Sequence, residues 1–218
     1  MTTAKASRAK TQSSSPSEAT EEAQTDDYAQ RFDLLRLIYY HDDARQFNVF
    51  MHNATTFSTI LLGSLVAGTF ISDHLGPFAP YFGLAVAILQ SVDFVVDFQS
   101  KANMHSAEKA IYNELFTRLS FDRSAANIHK IENEKLVNFE RGSEKYTPFW
   151  GVDAVAWNSA YSQLTGSTDF EADELFPINF IEMALRHLVR FSPSYFREKK
   201  KRAQRIKHGK RVALYYVI

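Results

Sequence analysis

The apolar positions of the chain follow two rhythms. From Asp26 to Phe50 the sequence "DDYAQRFDLLRLIYYHDDARQFNVF" places Phe32, Leu35, Ile38 and Tyr39 at helical spacing, with charged residues between them. That spacing predicts an amphipathic helix, lying either along a membrane surface or on a helical domain. The next rhythm is continuous. With histidines counted as neutral, ionised side chains vanish from Gln46 to Ser72 and again from His74 to Val92. Each run is about the length that spans hydrocarbon as a helix, roughly 20 residues. Polar members of the first run, such as Thr55, Thr56, Ser58, Thr59 and Ser64, are small. Their hydroxyls can bond the carbonyls of their own helix and are tolerated in lipid. Between the runs, "SDHLGP" ends in the turn residues Gly76 and Pro77. The pattern predicts a transmembrane hairpin with spans at about 49–71 and 77–96. Its rival is a buried helical hairpin in a soluble protein, which would show a polar face every few residues.

No glycine or proline occurs from Leu84 to Arg141. The second span is therefore expected to continue as a helix over about 97–141, with "SFDRSA" the one place for a break. Unbroken from Leu84, such a helix would extend ~85 Å. Met104, Ala107, Ile111, Leu115 and Leu119 give one apolar stripe, and Phe121, Ala125, Ile128, Ile131 and Phe139 another. Stripes of this kind need partner helices. A helix over about 148–164 is a suitable partner, with Thr147 as N-cap, Pro148 in the first turn and Gly166 as stop. An acidic loop follows, then an amphipathic helix with Ile178, Ile181, Leu185 and Leu188 on one face. The segment "REKKKRAQRIKHGKR" follows, with nine Lys or Arg against one Glu. The fold class is all-α: a two-helix transmembrane hairpin whose second helix continues into a cytoplasmic helical domain. Residues 1–27 read as a disordered polar tail, and 177–218 as an amphipathic helix with a polybasic tail.

Lys plus Arg equal Asp plus Glu at 25 each, so net charge singles out no partner. The distribution is informative. No Lys or Arg lies between Arg45 and Lys101, so all of them flank the hairpin. By the positive-inside rule both termini are cytoplasmic and the turn between the spans faces outward, in a multi-pass membrane protein. The basic residues Lys199, Lys200, Lys201, Arg202, Arg205 and Lys207 suit anionic lipid headgroups, in preference to nucleic acid, in a chain with membrane spans. The first residues contain no apolar core, so no cleaved secretory signal is expected. The absence of cysteine excludes disulfides, thiolate metal sites and a Cys nucleophile.

No phosphate-binding glycine loop or nucleophile elbow is present, and a non-enzyme without cofactor is expected. His105 and Glu108 lie three apart, as do His129 and Glu132, and "HDD" occupies 41–43. Facing His and carboxylate pairs can bind metals in helical bundles, but this order reverses the familiar Glu-x-x-His. These pairs read as solvated helix faces and "HDD" as a polar membrane boundary, so no metal is expected. More informative are Gln90, Asp93 and Asp97, at i, i+3 and i+7 near the end of the second span. In an oligomer they would ring a cation-selective pore mouth, unless the apolar segment simply ends at Asp93. On the first span Thr56, Thr59 and Gly63 share a small, weakly polar face, suited to lining a pathway or packing on the second span.

Three stretches together resemble a known family. They are the amphipathic lead "RFDLLRLIYYHDDARQF", the post-hairpin helix "DFQSKANMHSAEKAIYNEL", and "FWGVDAVAWNSAYSQLTG" with Asn158 in an AxN-like position. The arrangement over 28–166 resembles the SLATT domains, the two-transmembrane effectors associated with SMODS and SLOG proteins. The match lies in placement and hydrophobic pattern, and it brings no catalytic residues. The resemblance implies a bacterial inner-membrane effector of nucleotide-driven anti-phage conflict systems. Such an effector homo-oligomerises, opens a pore or disrupts the membrane, and kills or arrests the cell. A separate partner would sense or produce the nucleotide signal. The alternative is a non-catalytic anchor or scaffold that recruits partners through its cytoplasmic helices.

Overall fold

The computed structural model describes residues 16–69, 76–143, 149–166, 175–189 and 191–215. Among them every regular element is helical: α1 (Pro16–Thr69), a 3-10 turn (Gly76–Phe78), α2 (Ala79–Val96), α3 (Phe98–Phe121), α4 (Ala125–Ser143), α5 (Trp150–Thr165), α6 (Phe180–Leu185) and α7 (Pro193–Tyr215). The all-helical class agrees with the sequence pattern. Several boundaries do not.

Helix α1 has 54 residues, about 80 Å at 1.5 Å each. No glycine or proline occurs between Ser17 and Leu62, so the amphipathic lead and the first apolar run form one rod. The rod begins at Pro16, inside the stretch read as a disordered tail. The physical reason is local: proline suits the first helical position. Residues 16–27 of the stretch read as a polar tail are described as the start of α1, while 1–15 lie outside the described residues.

The second difference is at Asp97. Helix α2 closes there and α3 opens at Phe98, while the antiparallel register on α1 runs on from Gln90–Thr59 and Asp93–His52 to His105–His41 and Lys109–Asp42. Asp97 has φ 50° and ψ 60°, the left-handed region, alone among the described non-glycine residues. Its backbone N–H still reaches the Asp93 carbonyl at 2.8 Å, closing α2. Its carboxylate accepts from the Ser100 N–H at 3.1 Å, opening α3. Short polar Asp is among the few side chains that tolerate this conformation, because it can bond the backbone locally. A further break occurs at the expected "SFDRSA". There the Asp122 carboxylate accepts from the Ser124 N–H at 2.9 Å, and the Ser124 hydroxyl accepts from the Asn127 N–H.

Helix α3 runs antiparallel along α1, and the break at Asp122 turns α4 back, with Glu134 beside Arg118 and Lys135 beside Asp33. Phe32, Leu34, Leu35 and Ile38 of α1 are buried together with Tyr112, Leu115 and Leu119 of α3, Ile128 and Ile131 of α4 and Ala160 of α5. Removing a buried leucine such as Leu34 would cost about 2–5 kcal/mol. A second cluster joins Tyr40 to Val152 and Ala156 of α5. Helix α5 starts at Trp150 after Phe149, and the expected cap at Thr147 and Pro148 lies outside the described residues. Its end is as expected, with Gly166 at φ 58°. Gly151 has a steric role: a Cβ there would meet the Arg186 backbone at 3.0 Å, so α5 and the α6 end touch main chain to main chain.

The dual role of Asp97 predicts an order of stabilities. Asp97→Ala removes the cap and places a Cβ-bearing, non-bonding side chain at positive φ, costing about 2 kcal/mol. Asp97→Gly keeps the backbone freedom and loses only a few tenths of a kcal/mol. Urea unfolding of the full chain in detergent measures both. An alanine variant more stable than the glycine variant would mean that α2 and α3 fuse without penalty.

Candidate functional site

Two helices are long and apolar enough to cross a membrane. Their apolar side chains are not covered by the rest of the chain. None of the most apolar stretch of α2 is buried, and only 6% of that of α1. Phe57, Ile60, Leu61, Tyr81, Leu84, Ile88, Phe94 and Val95 are all at least half exposed. A core hairpin of a soluble protein buries such residues, so that reading fails on burial.

Inside the hairpin the hydroxyls behave as their size suggests. Thr55, Ser64 and Ser91 each donate to the carbonyl four residues earlier, at 2.7–2.9 Å. The longer polar groups meet across the helix pair. Gln90 Nε2 donates to Thr59 Oγ1 at 2.9 Å. His52 Nδ1 faces the Asp93 carboxylate at 3.4 Å. The antiparallel register thus pairs Thr59 and Asp93, both singled out by sequence, with one partner each on the opposite helix.

The other sequence candidates separate. Asp97 belongs to the break, where its carboxylate caps α3, so it does not extend the Gln90 and Asp93 face. Thr56 and Gly63 share an exposed face of α1. A Cβ on Gly63 would meet nothing within 4 Å, so this glycine is open, whereas Thr59 of the same stripe meets α2.

Below the hairpin, α1 carries a belt of polar contacts that sequence reading treated singly. His105 and Glu108, read as a solvated face, turn inward on α3 and meet His41 of α1. His41 and His105 are 5% and 3% exposed. Their Nδ1 atoms are 3.0 Å apart, and His41 Nδ1 is 2.9 Å from Glu108 Oε2. The solvated reading fails because α3 packs along α1, a long-range contact that spacing within α3 cannot reveal. His129, by contrast, is exposed beside Glu132. Burial, then the neighbouring His41, pulls the His105 imidazole down to about 4, so it is neutral at pH 7. Burial would raise Glu108, but its hydrogen bond with His41 outweighs this and lowers it. With a neutral His105 and an ionised Glu108, a proton on His41 Nδ1 serves both acceptors. Burial and then Glu108 push the Tyr112 hydroxyl up to about 12. The Tyr112 ring stacks on His41 at 5.4 Å.

The next residues of "HDD" also hold partners. Asp42 accepts from Lys109 of α3 at 2.8 Å. Asp43 takes a bidentate pair from Arg186 at 2.6 and 2.7 Å and lies 3.4 Å from His187. Burial alone would raise Asp43, yet His187 and Arg186 hold it at about 2. One turn earlier, Arg36 makes a bidentate pair with Asp153 of α5 at 2.7 and 2.8 Å. Asn158, the AxN-like residue, clamps the Phe176 backbone: its amide donates to the carbonyl and accepts from the N–H, each at 2.9 Å.

The basic tail is only partly free for headgroups. Lys199 donates to the buried Glu182, which also accepts from Tyr195. Lys200 lies over the Phe176 ring at 5.2 Å. Lys201, Arg202 and Arg205 are exposed, and the Lys207 side chain lies outside the described residues. Glu182 further closes a capping box with Asn179. Comparison of the chain with protein-family models, curated proteins and solved structures gives no match.

Two predictions follow from these contacts. A double-mutant cycle on Thr59→Val and Gln90→Leu, read by unfolding in detergent, should give about 0.5–1.7 kcal/mol of coupling. Zero coupling would mean that the two groups do not bond. At Glu182, burial acts upward but Lys199 and Tyr195 outweigh it, so its carboxyl is lowered. Its contribution is therefore present above the ordinary glutamate range, about 4.3, and is lost as pH falls below it. Hydrogen exchange of residues 180–205 should rise between about pH 5 and 3, and Glu182→Gln should remove that pH dependence.

Proposed function

We propose that the chain inserts the α1–α2 hairpin into a bacterial inner membrane and acts there as a non-enzymatic effector. On this reading the hairpins of several copies associate and open a pore, arresting or killing the cell in an anti-phage response. The observation that carries the membrane part is the uncovered apolar surface of α1 and α2. Exposed apolar area of that extent calls for lipid or a partner in place of water. The apolar end of α1, residues 49–69, is about 31 Å long and α2 about 27 Å, close to the ~30 Å hydrocarbon core. The open Thr56–Gly63 face supports the association part, because small residues let membrane helices approach closely. The exposed Lys201, Arg202 and Arg205 suit anionic headgroups on the cytoplasmic side, and a separate nucleotide-sensing protein would trigger the assembly.

A second reading is favoured by one specific observation. Thr59 with Gln90 and His52 with Asp93 are paired within a single hairpin, as in a closed, non-conducting anchor. A scaffold would use the hairpin for attachment and α3–α5 for recruitment.

Membrane potential and colony counts during controlled expression separate the two. The pore reading expects depolarisation before loss of viability, with Asp93→Asn changing the ion selectivity of the purified protein in planar bilayers. Ion-tight vesicles at every protein-to-lipid ratio, together with normal potential in growing cells, would leave the anchor.

A further inference from the structure

The buried junction between α1 and α3 holds a donor set that neither the hairpin nor its assembly uses. His41 comes from α1, and His105 and Glu108 from successive turns of α3 on one face. One ligand atom from each lies within 4.8 Å of the others. We propose that His41, His105 and Glu108 form a site for a divalent transition metal, zinc by preference, which clamps the lead helix to the post-hairpin helix.

Three features support the assignment. The first is donor chemistry. Two imidazoles and one carboxylate are the ligands of an open zinc site, with a fourth position left for water. Magnesium and calcium prefer oxygen throughout, so a set with two nitrogens of three donors selects zinc or its first-row neighbours. The second is spacing. Bonds of about 2.0–2.1 Å to a tetrahedral ion put donors roughly 3.3 Å apart. The contacts from His41 Nδ1, 3.0 and 2.9 Å, need to open by only a few tenths of an ångström. The third is preorganisation. The His41 ring is held between Tyr112, stacked at 5.4 Å, and Tyr40, edge-on at 5.3 Å. Rings so fixed present their nitrogens with little ordering cost. Glu108 is the most exposed of the three and provides the way in from solvent.

In the metal-free form the three groups share the proton on His41 Nδ1. As a metal ligand Nδ1 carries no proton, and the N–H of the ring lies at Nε2. The clamp sits eleven residues before His52 on the same helix, so it governs how firmly the hairpin base is held to α3.

The test uses the full chain without a histidine tag, purified in detergent, stripped with chelator and titrated with zinc chloride. Cobalt(II) is titrated in parallel and read by its visible absorption. The proposal expects about one ion per chain and a tetrahedral cobalt spectrum. Affinity should fall at least about a hundredfold in His105→Gln and Glu108→Gln, more than the loss from a residue that only orients a ligand. His129→Gln, at the exposed pair on α4, should bind as the parent does. Because His105 lies in the core, Glu108→Gln is the deciding variant: it keeps the side-chain shape, and its helical circular dichroism is checked first. Absence of stoichiometric zinc or cobalt binding overturns the proposal. So does binding that survives in a folded Glu108→Gln. Neither result depends on whether the hairpin conducts ions.

Discussion

The structure depends on the continuity of α1. One helix of 54 residues carries a packed surface along its first part and an uncovered apolar surface along its last. Its first part buries Phe32, Leu34, Leu35 and Ile38 against α3, α4 and α5. Its last part presents Phe57, Ile60 and Leu61 with nothing over them. A helix is stiff because each residue added makes another backbone hydrogen bond. The packing of the helical domain therefore sets the direction of the hairpin. The break at Asp97 completes the arrangement. There a single left-handed residue closes α2 and caps α3, and both helices keep one antiparallel register along α1.

Polar groups concentrate where the two surfaces of α1 meet. Between Arg36 and Asp43, α1 holds Asp153, Glu108, His105, Lys109 and Arg186. These contacts tie α5, α3 and the C-terminal segment to one length of helix. Partly buried, bidentate arginine pairs contribute more than the ~0.2–1 kcal/mol of exposed pairs and also fix geometry. Each pair reports on the position of α1, which is the element that enters the apolar region. A clamp on α1 at His41 would act on the same lever.

Much of this was legible in the sequence. The two apolar runs, the helical class, the break near Asp122 and the stop at Gly166 follow from local composition, because turns and caps are local chemistry. The polar seam was half legible: Gln90, Asp93 and Thr59 stand out as polar residues in apolar runs, but their partners depend on hairpin register. The continuity of α1 across Arg45–Phe50 was visible only as an absence of breakers. The left-handed Asp97 was hidden, because nothing in "VVDFQS" marks a helix break apart from a residue able to cap itself. The histidine cluster was hidden for a different reason. Its members are 64 residues apart in the chain and meet only through packing. Each half, "HDD" and "HSAE", reads as an ordinary polar surface until α3 is laid along α1.

The central claim is that α1 passes from a water-surrounded domain into lipid without a break. The chain has no cysteine, so single cysteines can be placed at will. The most direct measurement is labelling of such cysteines by a membrane-impermeant maleimide in native membranes, before and after detergent is added. Cysteines at Phe57, Ile60, Leu84 and Ile88 should resist labelling until detergent exposes them, while Ser106 and Asn113 on the outer face of α3 label on the side open to the reagent. Full labelling at Phe57 and Ile88 in intact membranes from both sides would place the hairpin in water and contradict the account.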